Sequence, residues 1–117
     1  MTDAQQRLRI LPEPYQIEHH PAGDEVPAGV DWLALVRSPD GLTVVRPGSG
    51  WIAFYSGDTA HELDVPGMLS ALLVPLKEAG ISVFVASTYA ADLVLVPADR
   101  RDEAVAALRK AGHHVAD

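Results

Sequence analysis

Apolar residues in the second half of the chain recur in two rhythms. Residues 51–56, WIAFYS, form a short aromatic-rich run closed by the turn signal Gly57-Asp58, which predicts a strand. Leu69, Leu72, Leu73 and Leu76 then follow the i, i+3, i+4, i+7 spacing that lines one face of a helix. Gly80, just after Lys77-Glu78-Ala79, stands where a helix C-cap belongs. ISVFVAS (81–87) and LVLV (93–96) read as strands. Asp99 is placed to cap a second helix that carries Ala104, Val105, Leu108 and Ala111 on one face. Gly112 ends that helix, and HHVA (113–116) returns as a strand. The order β-α-β-β-α-β predicts the split-βαβ or ferredoxin-like plan, with helices on one face of an antiparallel sheet. Pro75 falls inside the first helix pattern. There it removes a backbone bond and crowds the preceding turn, so it either kinks the helix or sits close enough to a late helix start to do little harm.

The first half has a different texture. YQIEHH (15–20), WLALVR (32–37) and LTVVR (42–46) read as strands, and SPDG (38–41) as the tight turn of a hairpin. PAGDEVPAGVD (21–31) holds two prolines and two glycines and cannot form a long helix. Strand, breaker-rich link, strand, hairpin and strand make a helix-poor echo of the second half, without a residue-level repeat.

Composition narrows the function classes. A chain of 117 residues fits one domain or two half-sized units sharing a core, and it needs no metal or disulfide staple. With no cysteine, thiol catalysis, a cysteine-ligated zinc site and a disulfide framework are all excluded, and the expected compartment is the cytoplasm. No apolar run approaches the ~20 residues that cross a bilayer, and the N-terminus lacks a signal-peptide core. The net charge is −7 and the lysines and arginines are scattered, so neither nucleic acid nor membrane is an expected partner.

The stretch LDVPGMLSALLVPLKEAGISVFVASTYAADLVLV (63–96) resembles the ACT domain, specifically small bacterial proteins with two tandem ACT-like units. LRILPEPYQI near the start and AALRKAGHHV near the end resemble the same proteins. The likeness is strongest over LKEAGISVFVASTY and weaker over residues 1–50. It implies two packed ferredoxin-like units, a degenerate one at 1–50 and a complete one at 51–117, with no catalytic machinery and no cofactor. It also implies regulatory binding of an amino acid or similar small metabolite at an interface, relatedness to amino-acid sensors, and a homodimer. The ligand-contacting loop of the family maps onto Asp64, Val65, Pro66, Gly67, Met68 and Leu69, and the segment after the next strand onto Ser87, Thr88, Tyr89 and Asp92. Where close relatives often carry an acid and a threonine after that strand, this chain has Ala90 and Ala91.

Two readings stand for each element of this site. The first amides of a helix lack internal partners, so a ligand carboxylate can sit on Gly67, Met68 and Leu69; alternatively Asp64 caps its own helix and Pro66-Gly67 is a turn. Asp92 can meet a ligand ammonium beside the Ser87 and Thr88 hydroxyls, or it is a turn aspartate opening a strand. The alternative function is a ligand-free structural or interaction module that keeps the fold. The five histidines do not assemble a metal site: His19-His20 and His113-His114 are adjacent on strands and point to opposite faces, and HELD (61–64) lacks helical ligand spacing. GSG (48–50) lacks the lysine of a phosphate loop, and no spacing supports a triad from Ser56, Ser87 and Asp92. Trp32, Trp51, Phe54 and Phe84 are expected to fill the core or a seam between units.

Overall fold

A computed structural model describes residues 5–58 and 67–116. Along the chain run β1 (Arg7–Ile10), β2 (Tyr15–Pro21), β3 (Ala34–Ser38), β4 (Gly41–Pro47), β5 (Trp51–Tyr55), α1 (Met68–Glu78), β6 (Phe84–Ser87), β7 (Asp92–Pro97), a 3-10 turn (Ala98–Arg100), α2 (Arg101–Lys110) and β8 (His114–Ala116). The order predicted for the second half is present from β5 to β8, and the described residues of the first half hold strands and no helix.

All eight strands belong to one sheet, with β5 at its hub. β7 lies antiparallel along one edge of β5, and β6 pairs outside β7. The other edge of β5 is shared: β1 pairs with Phe54 and Tyr55, and Tyr15 of β2 pairs with Trp51. Pro12 and Pro14 lie between, and having no N–H to give, they interrupt the ladder after the Leu11 N–H reaches the Ala53 carbonyl at 2.9 Å. β2 then turns away to pair with β4, which forms a hairpin with β3 across Ser38–Gly41.

β8 pairs with β1, in parallel, and not with β5. The second-half sheet therefore runs β6-β7-β5-β1-β8, with a strand from residues 7–10 between the two strands that an uninterrupted split-βαβ sheet would place side by side. The expected antiparallel sheet is mixed for this reason: β1 already fills the β5 edge when β8 returns from α2.

Alternation along the strands divides the core. Ile52 and Phe54 face the helices with Leu8, Val94, Val96 and Val115, and they bury Leu72, Leu76, Ala104, Val105 and Leu108. On the opposite face Ala53, Leu93 and Leu95 pack with Tyr15 and Val45, and Trp51 and Phe84 lie partly buried against them. β7, apolar on both faces, is buried on both, as its unbroken LVLV run implies. Trp32 does not join the core; it is 48% exposed, and its neighbour Leu33 packs there instead. Where no helix contributes to the core, His20 and Glu18 stand opposite the buried Leu42 and Val44, and Glu18 receives hydrogen bonds from Gln16 and from Arg46 at 2.7 Å, with His20 Nε2 at 3.1 Å.

Helix ends explain two displaced boundaries. The Ile81 N–H closes α1 on the Leu76 carbonyl at 3.0 Å, so Ile81 belongs to the helix stop and β6 begins at Phe84. Asp99 does not cap α2: it lies in the 3-10 turn, and Arg100 precedes the helix without a side-chain cap. Asp102 and Glu103 instead place negative charge in the first turn of α2, where the helix dipole favours it. Arg100 bonds Glu103 and reaches the Ala79 carbonyl at the end of α1 at 3.3 Å. The helices are thus clipped to each other, antiparallel. No helix among the described residues is long and apolar enough to cross a membrane.

Candidate functional site

The chain leaves β5 at Ser56, and this end of the sheet gathers most of the candidate residues. Ser56 is fully buried; its N–H donates to the Asp92 carbonyl at 3.1 Å and its Oγ accepts the Asp92 N–H at 2.8 Å. This reciprocal pair of bonds fixes the start of β7 beside the end of β5. Ser87, the Cα partner of Asp92 across the β6–β7 hairpin, donates its hydroxyl to Asp92 Oδ1 at 2.8 Å. Asp92 is 7% exposed, so its carboxylate is buried deeper than a turn aspartate needs to be.

Ser87 and Asp92 therefore come together as expected, but Thr88 and Tyr89 do not join them. Thr88 Oγ1 accepts the Ala91 N–H at 3.0 Å and donates to the Ala91 carbonyl at 3.1 Å, which closes the hairpin and commits the hydroxyl to it. Tyr89 stands at the tip, 84% exposed. Ala91 is buried.

The start of α1 lies at the same end. Arg9 pairs with Tyr55 at the end of β5, so Gln6, which precedes β1, lies beyond that end, and its Nε2 donates to the Met68 carbonyl at 2.6 Å. Gly67 is the N-cap residue, with φ 84° and ψ −7°, a left-handed conformation that favours glycine. It has no side chain with which to cap, and the first turn holds no acidic residue. No atom of the described residues lies within 4 Å of the point where a Gly67 Cβ would stand. Met68 is buried and Leu69 half-buried, so their side chains face the core. Asp64, Val65 and Pro66, together with His61 and Glu62, lie outside the described residues.

Two buried polar residues tie this helix start to the sheet: Gln6, which the sequence did not single out, and His113, weighed there only for a metal. Pro75 is inside α1 and has no N–H to give the Ala71 carbonyl four residues earlier. His113, 6% exposed, places its Nε2 2.8 Å from that carbonyl, and its Nδ1 lies 3.1 Å from the Gln6 backbone N–H. A carbonyl only accepts and an amide N–H only donates, so the ring is neutral with its proton on Nε2. The available signal in sequence was Pro75 itself: a proline eight residues into a helix leaves one carbonyl in need of an outside donor.

His113 commits both ring nitrogens to this bridge, and His19 and His20 lie on β2, so neither offers a base to Ser56 or Ser87. His113 is buried and His114 exposed, but β8 begins at His114, so only the second of the pair lies on a strand. Among the described residues no three histidine or acidic side chains are grouped to hold a metal. A groove of about 360 Å³ between the helices, lined by Pro75, Glu78, Ala79, Ala107, Lys110 and Ala111, touches none of the candidate residues.

Known proteins share this framework. A crystal structure of a protein from Agrobacterium tumefaciens superposes with a TM-score of 0.80 at 26% identity, covering 96% of this chain and 92% of that one. A protein of unknown function from Vibrio cholerae, described as a possible transport protein, superposes with a TM-score of 0.76 at 20% identity over 90% of this chain and 89% of that one. A search of the curated proteins found no match. The family model of the ACT domain matches residues 47–110, from the end of β4 through α2. That span includes β5, the start of α1 and the Ser87–Asp92 hairpin, and it is more than half of the sequence: the chain belongs to the ACT-domain family.

Proposed function

We propose that the protein is a regulatory module that binds an amino acid or a closely similar metabolite at the β5 end of its sheet. The ligand carboxylate meets the first-turn amides of α1, and its ammonium meets Asp92. The observation that carries this reading is the pairing of opposite demands at one end of the sheet. A helix start whose N-cap glycine brings no side chain and whose first turn holds no acid favours an anion, and a buried carboxylate held by Ser87 favours a cation. A zwitterion satisfies both. Beyond its chain neighbours no described residue crowds Gly67, and Ser56 and Ser87 hold Asp92 in place.

On this reading, regulation works by biased packing: a ligand that contacts α1 and the β6–β7 hairpin stabilises the arrangement in which both are docked. Residues 1–50 and 51–117 act as two ACT-like units, the first stripped of its helices, and the partner is a second copy of the chain in the cytoplasm. Among the described residues β3, β6 and β8 each pair on one side only, which offers edges on which such a contact can form.

One observation favours a ligand-free interaction module instead. Thr88 uses its hydroxyl in the turn, and Ala90 and Ala91 supply no polar side chain beside it. A thermal-shift panel of the twenty amino acids separates the two readings. A ligand at a hundred times its dissociation constant stabilises the fold by about 2.7 kcal/mol. Absence of any shift across the panel defeats the amino-acid reading and leaves the interaction module.

A further inference from the structure

We propose that His113 is a positioning residue for the helix-opening site, linking the first half of α1 to the β1–β8 edge so that the two open and close together. This rests on the reading that the ligand meets the start of α1, although the link itself exists without ligand.

The first half of α1, from Met68 to Val74, is set apart from the rest of the helix. Pro75 leaves the Ala71 carbonyl without an intrahelical donor, so the ladder is broken at that point. A partly buried carbonyl without a partner is destabilising, and the missing donor comes from outside the helix, as the His113 Nε2–H. The same ring accepts the Gln6 N–H, while the Gln6 carbonyl accepts the His114 N–H at 2.9 Å and the Gln6 side chain holds the Met68 carbonyl. Helix start, β1 and β8 thus form one hydrogen-bonded circuit with His113 in it. If α1 swings away at Pro75, the ring loses its acceptor, the Ala71 carbonyl loses its donor, and the hold on Gln6 weakens with them. An event at Gly67 or Met68 therefore reaches an edge strand of the sheet, β8, where a second polypeptide could register it.

The link predicts a dependence that ordinary packing does not. Pro75→Ala restores a backbone N–H at position 75 to serve the Ala71 carbonyl, so the helix no longer needs His113. The experiment is native-state hydrogen exchange on the full chain in four forms: wild type, His113→Leu, Pro75→Ala and the double variant. His113→Leu should speed exchange of the amides at 72–74 and of β8 by roughly tenfold relative to β7, the lower end of the scale for leaving one polar group unpaired. The double variant should restore protection at 72–74 while β8 stays fast. Uniform acceleration across the protein, or no rescue by Pro75→Ala, overturns the link. If His113→Leu does not fold, Pro75→Ala alone still decides it. The competing amide donor at position 75 should weaken the His113 bond and move the ring ¹⁵N shifts away from the wild-type pattern of a proton held on Nε2, and unchanged shifts overturn the proposal. The twenty amino acids are then titrated against wild type and His113→Leu. An amino acid that binds wild type should bind His113→Leu about tenfold more weakly; equal binding overturns the positioning role. If none binds wild type, the ligand reading and the positioning role fall together, and the exchange result alone decides whether the helix–strand link stands.

Discussion

Replacing Gly67 with alanine separates what this residue does for folding from what it does for binding. A residue with a Cβ pays about 1–2 kcal/mol to hold the left-handed conformation, and the reduced freedom of alanine in the unfolded chain offsets roughly half of that. Beyond its chain neighbours, the Gly67 Cβ position meets no described residue within 4 Å, so no clash with a described residue adds to the balance. The net loss should be about 1 kcal/mol, which for a chain of this size lowers the melting temperature by about 4 °C. Urea titration should give that loss with an unchanged slope, since the surface exposed on unfolding is the same. Asparagine tolerates the left-handed region better, so Gly67→Asn should lose less than Gly67→Ala. In either variant the added side chain stands where a carboxylate would approach the α1 amides. An amino acid that raises the wild-type melting temperature should therefore lose that effect while the protein remains folded. A stability loss above ~3 kcal/mol in Gly67→Ala would show that the space is filled and the strain argument wrong. A full ligand shift in the alanine variant would show that the ligand approaches elsewhere.

Three further outcomes follow from named contacts. Asp92→Asn keeps the Ser56 and Ser87 hydrogen-bonding positions but removes the charge, so it should abolish the ligand-induced thermal shift and leave the unliganded protein folded; retained binding by calorimetry would remove Asp92 from the site. Leu8→Ala, at a side chain 1% exposed in the strand between β5 and β8, should destabilise by about 2–5 kcal/mol by urea titration. Glu18 is held below the ordinary glutamate range, chiefly by its hydrogen bond with His20 and then by Gln16 and Arg46. Its stabilising contribution is therefore present above the unfolded-state pKa and is lost as pH falls through the lower folded-state value, so Glu18→Gln should be less stable than wild type near neutrality and converge with it in acid.

What could be seen in the sequence was whatever depends on neighbours in the chain. The leucine spacing of α1, the glycines that follow both helices and the SPDG turn of the β3–β4 hairpin are local, and each lies where its pattern places it. Pairing partners are not local. Nothing in LRI at residues 8–10 says that it slides between β5 and β8, and the terminal strand reads the same whichever neighbour it takes. Asp99 failed as a cap because the chain enters α2 through a 3-10 turn that carries Asp99 inside it. Within the site, Ser87 and Asp92 were readable because a hairpin fixes their separation. The hold of Gln6 and His113 on α1 was not, because it spans the whole chain.

The position of β1 has a consequence for how the protein is made. Arg7 pairs with His114, so β1 is synthesised well before the strand that pairs with it in parallel. β1 can dock on β5 once the chain has passed residue 55, but one of its edges stays bare until β8 emerges. The sheet therefore closes only once β8 has been made, and contacts of such long sequence separation slow that step. A strand waiting with an open edge is the point at which a nascent copy is most exposed to pairing with another chain.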